Sequence, residues 1–204
     1  MSLLDLDPDQ LLSTTRAVRR RLDLERPVER EVVLECLRIG LQAPTSSNQQ
    51  DWQFVVVTDP ELRAGIAELY LRATAGYFDN PSPRGAVGLR SGQFLAERLQ
   101  DVPVHVIPCI PGRTENASTA EQAARWASII PATWSFMLAA RARGLGTAWT
   151  TFHLDYEREV ADLLSIPYDD YMQAALIPVA YTKGTDFRRG PRKDIAEVVH
   201  WDRW

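Results

Sequence analysis

Arg16, Arg19, Arg20 and Arg21 form the first group in this 204-residue sequence whose residue types suggest chemistry. No acid is interleaved among them, so they repel one another unless an anion neutralises them. Guanidinium forks suit phosphate oxygens, and a solvated charged face is the plainer alternative. A second basic group, Arg188, Arg189, Arg192 and Lys193, lies near the other end. Between them, Ala-Pro-Thr-Ser-Ser-Asn-Gln-Gln-Asp-Trp-Gln-Phe (43–54) sets six hydrogen-bonding side chains, Thr45 to Gln50, in a row. On its own this is a polar helix-to-strand connector. Gly144 to Phe152 then reads as a turn with exposed backbone and small polar side chains. An anion joined to a planar, hydrogen-bonding ring system would satisfy all four features.

Other chemistries find no support in the sequence. There is no Gly-x-Gly-x-x-Gly after a strand and no Walker loop. No His or Cys spacing offers a metal site, and no Gly-x-Ser-x-Gly elbow offers a nucleophile. The lack of protein-borne chemistry points to a cofactor that carries the reaction. A net charge of -4 argues against a nucleic-acid partner. Cys36 and Cys109 sit in apolar runs and read as buried small hydrophobes in a reducing compartment. With no signal peptide and no membrane-length apolar run, the expectation is a cytoplasmic protein away from membranes.

The elements that must hold these residues follow from periodicity. Residues 1–21 read as a helix capped by Asp9, from one face of which, or from the turn just after it, Arg16 and Arg20 would both reach. A wide apolar stripe predicts a buried helix from Pro27 to Gln42, and Phe54 to Val57 a short strand. Asp59-Pro60-Glu61 opens a helix carrying Leu62, Ile66, Leu69 and Tyr70. Tyr77 to Gln93, rich in Gly and Pro, reads as an irregular connection and a candidate lid. Val102 to Ile110 is a strand that its prolines mark as short or at an edge, with His105 a core residue. Ser118 and Glu121 have capping-box spacing for a helix to Arg143, kinked at Pro131. Its second half, Ile129 to Ala140, is apolar on every side, so a second subunit is the economical cover. Asp155 caps a helix over 157–164, and Ala174 to Tyr181 is the last strand. The sequence shows one domain over 1–204.

In this order the features resemble the nitroreductase family of FMN-dependent oxidoreductases. Arg16-Ala17-Val18-Arg19-Arg20 is similar to the family's Arg-Ser-Val-Arg phosphate motif. The stretch 43–54 resembles Ala-Pro-Ser-Ser-x-Asn-x-Gln-Pro-Trp-x-Phe, and Gly144-Leu145-Gly146 its Gly-Leu-Gly turn. Arg192-Lys193 resembles the basic C-terminal phosphate ligand. Three departures stand out: Ala17 for Ser, Asp51 for Pro, and a register that lets either Arg19 or Arg20 be the second phosphate arginine.

The resemblance implies an α+β three-layer sandwich, a mixed, mostly antiparallel sheet flanked by helices, in an intertwined homodimer. It implies FMN, with Arg16, Ala17, Arg19, Arg20, Arg189 and Arg192 near the phosphate and Trp149, Thr150 and Thr151 along the ring. Pro44, Thr45, Ser46 and Asn48 would meet the flavin bound mainly by the other subunit. Residues 186–204 would wrap onto the partner. NADH or NADPH would deliver hydride and an acceptor such as a nitroaromatic or quinone would take it, with Tyr77 or Phe78 stacking on that substrate and no catalytic side chain. Reductive dehalogenation, flavin fragmentation and an FMN-storage or sensing dimer are the alternatives on the same scaffold.

Overall fold

The computed structural model describes residues 3–79 and 86–204. Helices α1 (Pro8–Thr14) and α2 (Arg30–Gly40) precede strand β1 (Gln53–Val57) and helix α3 (Pro60–Ala73). Helix α4 (Ala86–Arg98), strand β2 (Val104–Pro111), helix α5 (Thr119–Ala142) and strand β3 (Leu145–Thr147) follow. Helix α6 (Glu157–Leu164) and strands β4 (Tyr171–Gln173) and β5 (Ile177–Tyr181) complete the core. The sheet runs β1-β2-β5-β3, with β4 also on β2, and every strand pairing is antiparallel. The expected parallel component amounts to one isolated bridge, Ala17 to Thr147.

Alternation along β2 separates the layers. Val104 and Val106 pack with α2 and α5 through Val33, Cys36, Phe136 and Ala140. Ile107 and Cys109 face the other way, into a cluster with Ile66, Tyr70, Leu95, Leu99 and Val160 from α3, α4 and α6. Helices thus cover both faces, giving the three-layer sandwich, and period-two alternation sends every second β2 side chain to each core.

Several local expectations need correction. The first helix is one short element capped by Asp7, whose carboxylate accepts from Gln10 N–H while Gln10 reaches back; Asp9 lies inside it. β2 is central rather than an edge. Pro108 is tolerated because its carbonyl accepts from Ala174, placing its missing N–H on the side where β5 ends and β4 begins. Residues 86–93, read as irregular, open α4, and residues 80–85 of the expected lid lie outside the described residues. Glycine was misread as a breaker there, whereas Gly92 lets the Phe78 ring approach: a Cβ would sit 3.3 Å from it. Asp155 lies in a short 3-10 turn and does not cap α6. The last strand begins at Ile177, three residues late.

Two capping expectations and the burial of both cysteines hold. Asp59 caps α3 through Glu61 and Leu62 N–H, and Ser118 with Glu121 forms the capping box of α5. Both cysteines are free and buried. α5 runs on through Pro131, and in its otherwise buried or half-buried second half it leaves Ile130 and Trp134 exposed, 43% and 39%. After β5 the chain has no strand or α-helix; Val198, Val199 and Trp201 are exposed and Trp204 wholly so. Among the described residues no helix is long and apolar enough to cross a membrane, and no acidic, His or Cys cluster could hold a metal.

Candidate functional site

After α1 the chain is extended through Val18 and then turns over Arg19–Leu22, with Leu22 N–H donating to the Arg19 carbonyl at 3.2 Å. Thr15 ends the helix at φ -65°, ψ 128°, and Val18 N–H donates to the Thr147 carbonyl at 2.8 Å. Three and five residues on, Lys183 N–H donates to Arg21 O and Asp23 N–H to Tyr181 O, both at 2.8 Å. The segment is therefore tied to β3 and to the exit of β5. Gly146 permits this, because a Cβ would lie 2.7 Å from Thr182 Cγ2 and 2.9 Å from both Leu22 Cδ2 and Val18 Cβ.

An extended stretch followed by a turn fans the arginines out instead of stacking Arg16 over Arg20 on a helix. Arg16 turns to the C-terminal tail, its Nη1 donating to the Arg188 carbonyl at 2.8 Å. Gly190 lies beneath it: a Cβ there would meet Arg192 Nη1 at 2.8 Å and Arg16 Nη2 at 3.3 Å. The two guanidinium groups thus share the space over one glycine. Arg189 Nε donates to Ser13 Oγ at 3.1 Å, fixing the tail to α1. Arg20 sits 6.0 Å from the Phe94 ring of α4, away from this pair. Among the described residues no carboxylate pairs with Arg16, Arg19, Arg20, Arg189 or Arg192. Uncompensated arginines converging on a cleared backbone are what a phosphate group would neutralise.

Arg19 points elsewhere. It lines a cavity of about 240 Å³ with Tyr77, Phe78, Trp149, Thr150, Thr151 and Phe152. Thr150 exchanges backbone hydrogen bonds with Leu176 at 3.1 and 2.8 Å, so the Trp149–Thr151 wall continues the sheet. Sequence reasoning placed Tyr70 only as a helix residue, yet its hydroxyl lies 2.6 Å from Thr150 Oγ1 in this cavity. Burial raises the phenol's pKa, opposed by the Thr150 hydrogen bond and by Arg19. Tyr70 meets Phe152 edge-on, and Phe152 meets Tyr77 at 4.8 Å between centroids. Helical spacing with Ile66 marked Tyr70 as core; nothing local to it marked the cavity.

Pro44, Thr45, Ser46 and Asn48 do not join these residues. Ser46 lines a separate cavity of about 380 Å³ with Gln49, Asp51, Arg125 and Ser128. Ser46 N–H donates to Ser128 Oγ of α5 at 3.0 Å, and Gln50 Nε2 donates to Asn48 Oδ1 at 2.8 Å. Ser47, Asn48 and Gln50 all adopt left-handed backbone, φ 51°, 54° and 52°. Three such non-glycine residues in four hold the loop's polar side chains outward at a conformational cost.

Two buried histidines lie beneath the cavity wall. His105 Nε2–H donates to Leu99 O at 3.0 Å, as a core residue should, while His153 has no partner for either nitrogen among the described residues. Burial lowers their pKa values to about 4 and about 3.

Comparison with known proteins agrees with this geometry. The model of the Nitroreductase family matches residues 12–181. An Archaeoglobus fulgidus protein, provisionally named NADH dehydrogenase/NAD(P)H nitroreductase, is 24% identical over 198 residues, covering 96% of this chain and 97% of that one. The 5,6-dimethylbenzimidazole synthase of Rhodospirillum rubrum is 31% identical over 149 residues, covering 70% of this chain and 68% of that protein. Among solved structures, an iodotyrosine deiodinase bound to FMN and 3-iodo-L-tyrosine shares the fold with a TM-score of 0.75 and 22% identity, covering 95% of this chain and 98% of that one. With the matched model spanning the basic segment, the polar loop, the cavity wall and all five strands, the chain belongs to the nitroreductase family.

Proposed function

We propose that the protein is an FMN-dependent oxidoreductase that takes electrons from NADH or NADPH and passes them to a small organic acceptor such as a nitroaromatic or quinone. The observation that carries this reading is the pair of uncompensated guanidinium groups over Gly190, one of them three residues along the chain from Arg19, which lines a cavity with Trp149–Thr151. The donor set fits FMN: Arg16 and Arg192 hold the phosphate through charge-assisted hydrogen bonds, and Arg19 with the Trp149–Thr151 wall holds the ring. When bound, FMN supplies the two-electron chemistry, accepting hydride from the nicotinamide and donating it to the acceptor in a ping-pong sequence. Tyr77 and Phe78 bound the cavity where an aromatic acceptor stacks. Binding, orientation and exclusion of water are the chain's tasks, and no acid or base of its own is required for hydride transfer.

Pro44, Thr45, Ser46 and Asn48 complete the site of a second copy, because their loop lies apart from the cavity that Arg19 lines, with Ser46 on a separate one. The exposed Ile130 and Trp134 on α5 supply an apolar face for that copy, and the exposed tail through Trp201 and Trp204 wraps onto it. Free buried cysteines fit a reducing cytoplasm.

The deiodinase and the dimethylbenzimidazole synthase support a second reading, reductive dehalogenation or flavin fragmentation on the same scaffold. The first experiment is the visible spectrum of the purified protein before and after anaerobic NADH or NADPH. A flavin spectrum that bleaches and returns with a quinone supports the reductase. Failure to bleach favours a storage or sensing dimer, and no flavin after added FMN ends the proposal. A panel of quinones, nitroaromatics and halophenols, with and without oxygen, separates the two enzymatic readings.

A further inference from the structure

The Phe187 ring lies between two guanidinium groups, 4.4 Å from Arg21 Cζ and 4.9 Å from Arg141 Cζ. Neither arginine belongs to the phosphate pair, and nothing in the family motifs marks Phe187. Arg21 Nε donates to the Lys183 carbonyl at 3.0 Å, and its two terminal nitrogens reach the Asp186 carbonyl and carboxylate at 3.2 and 2.7 Å. Gly184 (φ 79°) clears the approach, since a Cβ would stand 2.7 Å from Arg21 Nη2. From α5, Arg141 donates to the Thr185 carbonyl at 2.9 Å. Arg141 is 4% exposed, and its Nε and Nη1 have no hydrogen-bond partner among the described residues. A desolvated cation with idle N–H groups gains most from the negative face of an aromatic ring.

We infer that Phe187 is a positioning residue for phosphate recognition. Its ring separates two like charges and pins the tail to the sheet one residue before Arg188, whose carbonyl accepts from Arg16. Arg21 in turn closes the basic segment. One clamp thus sets the spacing between the arginines of both chain ends. This rests on the FMN reading above and adds to it a determinant of FMN over riboflavin, the same ring system without phosphate. An aliphatic side chain of similar volume would fill the space but leave Arg21 and Arg141 facing each other, and the tail would move away from Arg16.

The test titrates flavin-free wild type, Phe187→Leu and Phe187→Tyr with FMN and with riboflavin, following quenching of flavin fluorescence. Phe187→Leu is expected to weaken FMN about tenfold while riboflavin stays within about twofold, and Phe187→Tyr to restore FMN affinity, given the usual strength of desolvated cation–π pairs. An FMN-to-riboflavin ratio unchanged in Phe187→Leu overturns the clamp, whether both affinities fall together or neither moves. Should Phe187→Leu fail to fold, Arg141→Met removes one cation at similar volume and is expected to lower the same ratio about threefold, with an unchanged ratio overturning the clamp again. A wild type that does not prefer FMN would end both the clamp and the phosphate reading, so the two failures are distinguishable.

Discussion

The arginine-lined half of the site and the Thr45–Gln50 loop are built in opposite ways. The first is made by distant segments of one chain: Arg16 meets Arg188 across 172 positions of sequence, and Gly146 and Gly190 are bare so that side chains can converge. The second is shaped mostly locally, by left-handed residues and two short-range hydrogen bonds, with one long-range tie from Ser46 N–H to Ser128 Oγ, and displays its side chains away from the rest of the site. A ligand that needs both halves cannot draw them from one copy in this arrangement. On the proposed reading, the half that closes within the chain is the one to fix affinity, and the half that opens outward the one to fix assembly.

The comparison breaks most readily at the closed half. Each arginine–phosphate contact is a hydrogen bond to a charged group, about 1.5–3 kcal/mol, so Arg16→Ala with Arg192→Ala should cost FMN at least about a hundredfold in affinity. Fluorescence titration reads this directly. Retention of wild-type affinity would mean that the arginines over Gly190 hold nothing. The same pair of substitutions in Arg20 and Lys193 should cost far less, because Arg20 lies against Phe94.

Acid should loosen the same half from beneath. His105 and His153 are wholly buried, with pKa values lowered to about 4 and about 3, against an ordinary 6.5. Below pH 6.5 the unfolded chain binds protons that the native state refuses. Stability is therefore full above that pH and falls as pH drops toward the folded values. The slope is about 1.4 kcal/mol per pH unit for each histidine, an upper bound. Chemical denaturation at pH 7 and pH 5 measures it, and His153→Phe should flatten the difference by up to half. Equal stability at both pH values would refute the buried, neutral pair.

The open half is tested by mixing. Asn48→Ala alone should weaken FMN about tenfold, the worth of one hydrogen bond to the ligand. Combined in one dimer with an Arg16→Ala, Arg192→Ala chain, it should restore one intact site, since each chain supplies the half the other lacks. Purified mixed dimers with two distinct tags would show one tight site and one weak site. Two weak sites would mean that both halves serve the same copy.

The two halves also differed in how far the sequence revealed them. The loop was legible residue by residue, because a local run of Thr45 to Gln50 before a strand depends on neighbours alone. The capping of α3 and α5 was legible for the same reason. The closed half was visible only as two basic groups. Which arginine goes where depends on the extended backbone after Thr15, and that is set by pairing to Thr147 and Thr182, far along the chain. A helical reading of residues 1–21 was reasonable from Leu11, Leu12 and Val18 but could not include that pairing. Tyr70 and Phe187 were hidden similarly: each is an ordinary aromatic until Thr150, or Arg21 and Arg141, are brought to it. Central placement of β2 escaped because Pro108 argues for an edge unless the break between β4 and β5 is known.

The smallest expected effect lies at the boundary between the halves, where the acceptor enters. Tyr77 is half exposed, and its ring meets Phe152 and Phe78 edge-on at 4.8 and 5.3 Å. Neither the arginines over Gly190 nor the polar loop touches it, so Tyr77→Ala should leave FMN affinity within about twofold. What it removes is an aromatic wall, worth about 0.5–1.5 kcal/mol to a stacked ring, or roughly twofold to tenfold in the KM of an aromatic acceptor. Because the wall favours aromatic rings by stacking, a flat naphthoquinone should lose more than a small benzoquinone, while reduction by NAD(P)H in the first half-reaction proceeds at its former rate. Phe78→Ala would be a poorer probe, since Phe78 also packs on the core and its loss would mix binding with stability. An unchanged KM across the quinone series in Tyr77→Ala would move the acceptor out of this cavity and toward the one beside Ser46 and Arg125, making the outward-facing half the seat of substrate choice as well as of assembly.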